Sequence, residues 1–241
     1  RDWGSVALII CPRNMNTNII ITMNLTEKRQ EIKKLILENS FIAGACHIGS
    51  ALSCVNILVD IFYVKKIKPE QFIFSKASGV STFYTILADK GYFPKNKIAY
   101  YLKNYPLPSK EVPGVIWSGG SLGMGLSIAA GIALGNRKKR IYVLLSDGEM
   151  QEGNTFEAAL FARQHNLNNL YAICDNNQYQ ALGKIKDILD LETAFDFYKK
   201  TLPHFERVKT IKGGNIGFLQ GTKGHYLNLT EETLRQALEQ I

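Results

Sequence analysis

The chain has 241 residues, of which 46% are hydrophobic, and a formal net charge of +8. A chain of this size can bury the core of one large domain without disulfides, and no apolar run approaches the about 18 residues that a membrane-spanning helix needs. The 29 Lys and Arg residues cluster densely only at Lys65–Lys66 and Arg137–Arg140. This spread favours solvated loops over a nucleic-acid surface, although a basic surface also attracts an anionic cofactor or an acidic partner subunit.

The four cysteines show no metal-binding or redox spacing; they are Cys11, Cys46, Cys54 and Cys174. A free thiol inside an apolar stretch behaves as a small hydrophobic side chain. We therefore expect reduced thiols and a cytoplasmic protein that contacts neither membrane nor nucleic acid.

Residues 1–22 begin without methionine and fit neither a signal peptide nor a long helix. We interpret them as an added or upstream extension and expect the domain to comprise residues 23–241. The first predicted helix runs from Thr26 to Asn39, with Thr26 as its amino-terminal cap.

Two further helices and a short strand are predicted before residue 92. An apolar helix from Ser53 to Val64 follows a glycine-flanked loop that contains His47, and a short strand at Gln71–Phe74 precedes a helix from Thr82 to Lys90. A lone histidine on such a loop is compatible with a structural role as well as a catalytic one.

A glycine-rich segment, Trp117–Gly125, opens a predicted helix at Leu126–Leu134. Backbone N–H groups at such a turn can bind an anion, with the helix dipole adding to the attraction. A plain tight turn is the alternative.

Two apolar runs break abruptly at polar residues. Ile141–Leu145 ends before Asp147-Gly148, and Leu170–Cys174 ends before Asn177, with a helical pattern between them. Parallel strands joined by a helix bring such residues to one edge of the sheet, where ligands of open α/β sheets bind. Carboxylate and amide oxygens suit a magnesium ion that carries phosphates; a helix cap at Asp147 and a turn at Asn177 are the alternative.

The pattern as a whole predicts an α/β fold, a doubly wound and mostly parallel sheet with helices on both faces. Beyond residue 183 it predicts two helices, Asp187–Lys200 and Thr230–Gln240, and two strands, Phe205–Lys209 and Gly217–Gln220.

The stretch from Asp147 to Gln178 resembles the thiamine-diphosphate motif of the transketolase family. The resemblance implies that this is the pyrophosphate-binding (PP-type) domain of the thiamine-diphosphate-binding fold. It further implies that Mg²⁺ is bound by Asp147, Asn177 and the Tyr179 carbonyl, and that thiamine diphosphate is the cofactor. The residues expected to contact that cofactor are Ser78, Gly120, Ser121, Leu122, Asp147, Gly148, Glu149 and Asn177.

The same resemblance assigns catalytic roles to two histidines. His47 matches the substrate-channel histidine of a Gly-His-x-Gly loop, except that Cys46 replaces the first glycine. His225 stands where the family has a Trp-His-Gly histidine, although a surface position is an equal alternative. Glu152 matches a glutamate that couples two active sites across the dimer.

Two family histidines are missing. Ser78 replaces the histidine of a Ser-Lys-Gly-His segment, and residues 105–114 lack a Gly-His-Pro segment. Ser78 can donate a hydrogen bond to phosphate, but it cannot carry charge near neutral pH. The donor and acceptor substrates therefore do not carry over from the family.

The resemblance covers Met23 to the end and corresponds to one half of a transketolase. It implies a separate pyrimidine-binding subunit that supplies the activating glutamate, in a heterotetramer that transfers a two-carbon ketol unit. There are two alternatives: transfer to a non-sugar, for example carrier-bound, acceptor, and a non-catalytic binding or regulatory role.

Overall fold

A computed structural model of the chain describes residues 7–9 and 21–241. Near the amino terminus, β1 (Ala7–Ile9) pairs antiparallel with β2 (Ile21–Met23). The other residues of the expected extension lie outside the described residues. The extent of the domain, residues 23–241, stays a prediction.

The central sheet has four parallel strands that lie side by side in their order along the chain. They are β3 (Phe72–Phe74), β4 (Ile141–Ser146), β5 (Leu170–Asn176) and β6 (His204–Lys209). All four were expected from the sequence as strands or as buried apolar runs.

Ten α-helices lie within the described residues. In chain order they are α1 (Leu25–Ala43), α2 (Ile48–Ser53), α3 (Val55–Val59), α4 (Val80–Asp89), α5 (Ile98–Asn104), α6 (Met124–Gly135), α7 (Gly153–Gln164), α8 (Ile185–Ile188), α9 (Glu192–Thr201) and α10 (Glu231–Leu238). None of the described helices is long and apolar enough to cross a membrane.

The helices cover both faces of the sheet because successive strand residues point to opposite sides. Tyr142 and Leu144 of β4 join the core beneath α1–α5 and α10. Val143 and Leu145 join the core beneath α6, α7 and α9. The prediction of an α/β sheet with helices on both faces is confirmed.

The strand register places the predicted site at one edge of the sheet. Leu145 of β4 is opposite Cys174 of β5, and Ser146 is opposite Asp175. Asp147 and Asn177 therefore leave the carboxyl ends of neighbouring strands, as the sequence predicts.

Several helix boundaries differ from the predicted ones. The cap of α1 is Asn24, not Thr26, because the Asn24 side chain accepts hydrogen bonds from the N–H groups of Thr26 and Glu27. The single helix predicted at Ser53–Val64 is instead α2, α3 and a π-helical turn at Asp60–Val64. The helix predicted at Asp187–Lys200 is interrupted between α8 and α9.

The strand predicted at Gly217–Gln220 is wrong, because Gly217–Leu219 forms a 3₁₀ turn. Backbone hydrogen bonds of the i to i+3 type close this region. Ile216 and Leu219 are both buried, and their spacing of three residues places them on the same side of a 3₁₀ helix.

Three glycines surround the backbone of Leu219. A Cβ atom added at Gly49, Gly213 or Gly224 would lie 2.5 Å or less from the Leu219 carbonyl oxygen. Only glycine permits this approach, and it brings the amino end of α2 against the segment around residues 212–225. Lys212 directly precedes Gly213, and His225 directly follows Gly224.

We expect Gly224→Ala to lower the free energy of unfolding by about 1–3 kcal/mol, because the added methyl group would overlap backbone atoms that cannot rotate away. Urea denaturation followed by circular dichroism measures this change. Gly217→Ala is the matched control, since no atom lies within 4 Å of its added Cβ. Equal unfolding free energies for the two variants would contradict the prediction.

Candidate active site

Asp147 and Asn177 lie at the carboxyl ends of β4 and β5 and are both buried. One Asp147 carboxylate oxygen accepts the N–H of Gly148 at 2.9 Å, and the other accepts the N–H of Gln178 at 2.6 Å. The Asn177 side-chain oxygen accepts the N–H of Tyr179 at 3.0 Å. These contacts tie the turn after β5 to the end of β4.

The Asp147 carboxylate lacks a direct cationic partner among the described residues. Burial raises the pKa of Asp147 to about 6, although the more distant charge of Lys76 opposes the shift. A buried carboxylate without a cationic partner is suited to bind a cation.

A buried ion pair lies behind this carboxylate. Lys76 Nζ is 2.9 Å from an Asp175 carboxylate oxygen, and the two side chains are 1% and 0% exposed. Burial alone would lower the pKa of Lys76, but the attraction of Asp175 outweighs it and raises the pKa above the ordinary value. Thr210 donates a further hydrogen bond to Asp175.

Ser53 connects the ion pair to Asn177. Its hydroxyl donates to Asp175 at 2.7 Å and accepts from Lys76 at 3.3 Å. The Asn177 amide nitrogen also donates to this hydroxyl, at 3.3 Å. Because the amide nitrogen is held on one side, the Asn177 oxygen faces the turn at Tyr179.

Glu149 is completely buried and bonded to the chain itself. Its carboxylate accepts hydrogen bonds from the Ser75 hydroxyl, from the Gly123 N–H at 3.2 Å, and from the Ser146 N–H at 2.8 Å. Burial raises the pKa of Glu149, and these hydrogen bonds oppose the shift. Glu149 thus joins the ends of β3 and β4 to the glycine-rich segment; its direct contact with a cofactor stays a prediction.

Gly120 and Gly123 of the glycine-rich segment both leave little room for a side chain, and a Cβ added at Gly120 would lie 2.9 Å from the Leu107 side chain. Gly123 has a φ of +77°, and an added Cβ would lie 2.2 Å from the Asn154 side chain and 2.8 Å from Glu152. Ser121 and Leu122 precede it and are exposed, Leu122 by 46%. Their exposure leaves both residues accessible to a ligand or to another chain.

Ser78 and Glu152 belong to separate segments near this edge of the sheet. Ser78 is half-buried in the 3₁₀ turn Ala77–Gly79 after β3. Glu152 precedes α7 and makes no capping hydrogen bond with its side chain. The roles of both residues stay predictions.

His47 and His225 lie next to each other, although they are 178 residues apart in the sequence. The two ring centres are 4.7 Å apart and nearly perpendicular, and Tyr226 packs against both rings. The backbone N–H of His47 also donates to the backbone carbonyl of His225 at 3.0 Å. His47 has a φ of 64°, in the left-handed region, which is uncommon for residues other than glycine but is adopted more often by His, Asn and Asp.

Lys212 is a functional candidate that the sequence does not predict. Its side chain is buried, and Nζ lies 2.9 Å from His225 Nδ1 and 3.3 Å from the Gln180 carbonyl oxygen. No carboxylate lies within 4 Å of it among the described residues. Burial lowers its pKa to about 8, with Lys76 contributing in the same direction, so the amine is charged at neutral pH.

The only sequence signal for Lys212 is a lysine three residues beyond a strand end, followed by Gly213-Gly214. Lys76, Asp175 and Ser53 are likewise site residues that the sequence does not predict. Each of these lies at or near the end of a strand or helix, but their mutual contacts bridge distant segments.

A cavity of about 430 Å³ adjoins the turn after β5. Polar and charged side chains dominate its lining, among them Gln178, Lys184 and Arg207. Arg207 stacks on Phe195 with 3.9 Å between its guanidinium carbon and the ring centre, and it forms a two-bond ion pair with Glu192. Neither histidine of the pair lines this cavity.

Comparisons with known proteins identify the family. Residues 13–238 match the family profile described as 1-deoxy-D-xylulose-5-phosphate synthase. The chain is 31% identical to an apulose-4-phosphate transketolase subunit of Actinobacillus succinogenes, over 90% of this chain and 95% of the relative. It is 30% identical to a 6-deoxy-6-sulfo-D-fructose transketolase subunit of a Clostridium species, over 91% and 96% of the two chains.

Among solved structures, transketolase from Campylobacter jejuni superposes with a TM-score of 0.79 at 22% identity. The superposition covers 91% of this chain but only 43% of that transketolase. At this identity the match demonstrates the fold. The family profile and the relatives that match along nearly their whole length show that the chain belongs to the transketolase family.

Proposed function

We propose that the chain is the pyrophosphate-binding subunit of a two-subunit transketolase that depends on thiamine diphosphate and Mg²⁺ and transfers a two-carbon ketol unit. The observation that carries this proposal is the pair of buried oxygen ligands, Asp147 and Asn177, at the ends of neighbouring parallel strands. The cap at Asp147 and the turn at Asn177 are both present. Buried Asp147 has backbone N–H donors but no cationic partner among the described residues, and this favours a metal site in addition to the cap and the turn.

The residues present fit a magnesium ion. No group of three or more His, Cys, Asp and Glu side chains that could hold a metal occurs among the described residues. Magnesium in this site would instead depend on one carboxylate, the Asn177 amide oxygen, the Tyr179 carbonyl and the phosphates of the ligand. Magnesium commonly binds proteins through one or two carboxylates plus substrate phosphates.

The residues also fit a diphosphate. Lys212 supplies a buried ammonium group without a carboxylate within 4 Å in the described part of the chain, and such a charge is costly unless an anion compensates it. At Gly148 an added Cβ would make only ordinary contacts, the nearest at 3.5 Å. The chain's own packing therefore does not require glycine there, whereas close approach of a ligand to the backbone would.

Each part of the site has a separate role in this proposal. The cofactor, when bound, supplies carbanion stabilisation at its thiazolium ring. Asp147 and Asn177 hold the metal ion, and Ser53 with the Lys76–Asp175 pair orients Asn177. Lys212 offsets the charge of the diphosphate, and the His47–His225 pair binds the sugar substrate.

A second chain is proposed to supply the pyrimidine-binding domain and the activating glutamate. The chain spans 43% of the solved transketolase but 95% of a relative that is itself named as a transketolase subunit. Leu122, which is exposed beside the candidate site, is accessible to such a second chain. A heterotetramer containing two copies of each chain in the cytoplasm is the assembly we propose.

The substrate is proposed to be a sugar phosphate or a sulfonated sugar other than the usual pentose phosphates, and a non-sugar acceptor is the second candidate. The relatives are named for apulose-4-phosphate and for a sulfonated fructose. The presence of Ser78 in place of a family histidine supports a changed substrate in either case. Screening of sugar phosphates and carrier-bound acceptors with the complete enzyme distinguishes the two.

Asp147→Asn is expected to weaken Mg²⁺-dependent binding of thiamine diphosphate by about 100-fold, on the scale of a lost interaction with a charged group. Calorimetric titration of the chain mixed with its partner measures the change. Asp196→Asn, at an exposed position of α9, is the control and should bind normally. Wild-type affinity in Asp147→Asn would disprove the proposed metal site.

The affinity for thiamine diphosphate is expected to fall by up to about tenfold per pH unit above pH 8. Lys212 has a pKa of about 8, so its ammonium group is present below that pH and loses its proton above it. Titrations between pH 6.5 and 9.5 in the complete enzyme measure this dependence. Lys212→Met should remove this pH dependence, while the exposed Lys199→Met should preserve it; a flat wild-type profile would contradict the assignment.

The chain alone is expected to show no ketol transfer, because the activating glutamate is proposed to lie on the partner. The test compares the purified chain with a mixture that contains the product of the adjacent reading frame, using a panel of sugar phosphates. Activity only in the mixture supports a two-subunit enzyme. Full turnover by the chain alone would refute it. If the mixture keeps its ketol-transfer activity when the chain carries Asp147→Ala, the chain has a non-catalytic role.

A further inference from the structure

The two histidines of the candidate site are bonded in the same way through the same ring atom. His47 Nδ1 lies 3.0 Å from the Cys46 sulfur, and His225 Nδ1 lies 2.9 Å from Lys212 Nζ. Neither Nε2 atom has a hydrogen-bond partner among the described residues. In both rings, therefore, Nδ1 is used by the protein and Nε2 is left for another molecule.

The charge states of the four groups determine which of them donates. Burial lowers the pKa of His47, and burial together with Lys212 lowers that of His225 to about 3, so both rings are neutral at pH 7. Burial raises the pKa of Cys46, whose thiol therefore keeps its proton. The Lys212 ammonium group has only N–H donors and no lone pair.

We propose that Cys46 and Lys212 are positioning residues that hold His47 and His225 as neutral Nε2–H tautomers. In this arrangement the thiol and the ammonium group donate to the two Nδ1 atoms, and the ring proton of each histidine resides on Nε2. The pair then presents two N–H donors to acceptor oxygens. That these oxygens belong to a sugar substrate rests on the function proposed above, whereas the tautomers themselves do not.

The consequence is a binding site for hydroxyl, carbonyl or phosphate oxygens and not a base. A neutral imidazole with its proton on Nε2 has no lone pair there with which to remove a proton. The alternative is a ring that donates from Nδ1 to the Cys46 sulfur, which would leave a basic lone pair on His47 Nε2. The hydrogen-bond partner of each ring determines which nitrogen carries the proton. At His225 the Lys212 ammonium group can only donate, so a proton on Nδ1 is excluded. At His47 the Cys46 sulfur can donate or accept, so the chemistry alone does not exclude the alternative.

The Cys46 thiol provides a hydrogen-bond partner for the His47 ring, which glycine at the same position cannot provide. The loop that contains Cys46 and His47 is held by the hydrogen bond from the His47 backbone N–H to the His225 backbone carbonyl. It is the Cys46 side chain that reaches the His47 ring. Lys212 is positioned independently, since its Nζ donates to the Gln180 carbonyl and the backbone N–H of the next residue, Gly213, donates to the Gly49 carbonyl. The two positioning residues thus come from separate segments and can be altered one at a time.

The test is long-range ¹H–¹⁵N NMR on the full chain with ¹⁵N-labelled histidine. The chain has four histidines, and the signals of the two outside the site are identified with His165→Gln and His204→Gln. At pH 7 we expect both His47 and His225 to show an unprotonated Nδ1 and a protonated Nε2. A protonated Nδ1 on either ring would overturn the proposal for that histidine.

Variants separate the two positioning residues from general effects on structure. Cys46→Ala should leave His47 as a mixture of tautomers, while Cys46→Ser, which keeps a donor, should restore the Nε2–H form. Lys212→Met should raise the pKa of His225 by removing a nearby positive charge, and Lys199→Met should change neither ring. An unchanged His47 spectrum in Cys46→Ala would overturn the role of Cys46.

These measurements do not require cofactor, partner or substrate. If the tautomers are as expected but the complete enzyme transfers no ketol unit, the proposed function fails and the inference stands. If the enzyme is active but either ring carries its proton on Nδ1, the inference fails and the function stands.

Discussion

Lys76 and Asp175 form a buried ion pair at the carboxyl edge of the sheet, and both charges are removed from water. Such burial costs several kcal/mol per ion, and close mutual attraction with further hydrogen bonds offsets it. Ser53 and Thr210 provide those bonds to Asp175. Loss of one partner would leave an unpaired charge next to Asp147, so the remaining geometry of the edge depends on both being present.

The edge as a whole is held by buried side chains that bond to the chain itself. Glu149 joins three segments through its carboxylate, and Ser53 fixes the Asn177 amide. Supporting contacts of this kind orient metal ligands and usually matter nearly as much as the ligands themselves. Neither Ser78 nor the Cys46 thiol forms any of these supporting hydrogen bonds.

The strand ends at Asp147 and Asn177 could be predicted from the sequence because an abrupt change from apolar to polar residues marks the end of a buried strand. The position of Lys212 could not be predicted, because nothing local distinguishes a buried lysine from the many exposed ones. The strand expected at Gly217–Gln220 failed for a similar reason, since its conformation is imposed by the glycines that surround Leu219. His47 and His225 are named individually by the resemblance, but their contact across 178 residues is a property of the fold.

The separation of contacting residues along the chain has a consequence for how the site forms. Asp147 and Asn177 belong to one strand–helix–strand unit, whose two parallel strands pair with each other across the intervening helix α7. The Asn177 amide, however, is oriented by Ser53, 124 residues earlier. The orientation of the Asn177 amide therefore requires the amino-terminal helices to be packed on the sheet. The affinity of the proposed metal site would for that reason report on the integrity of the whole domain and not on this unit alone.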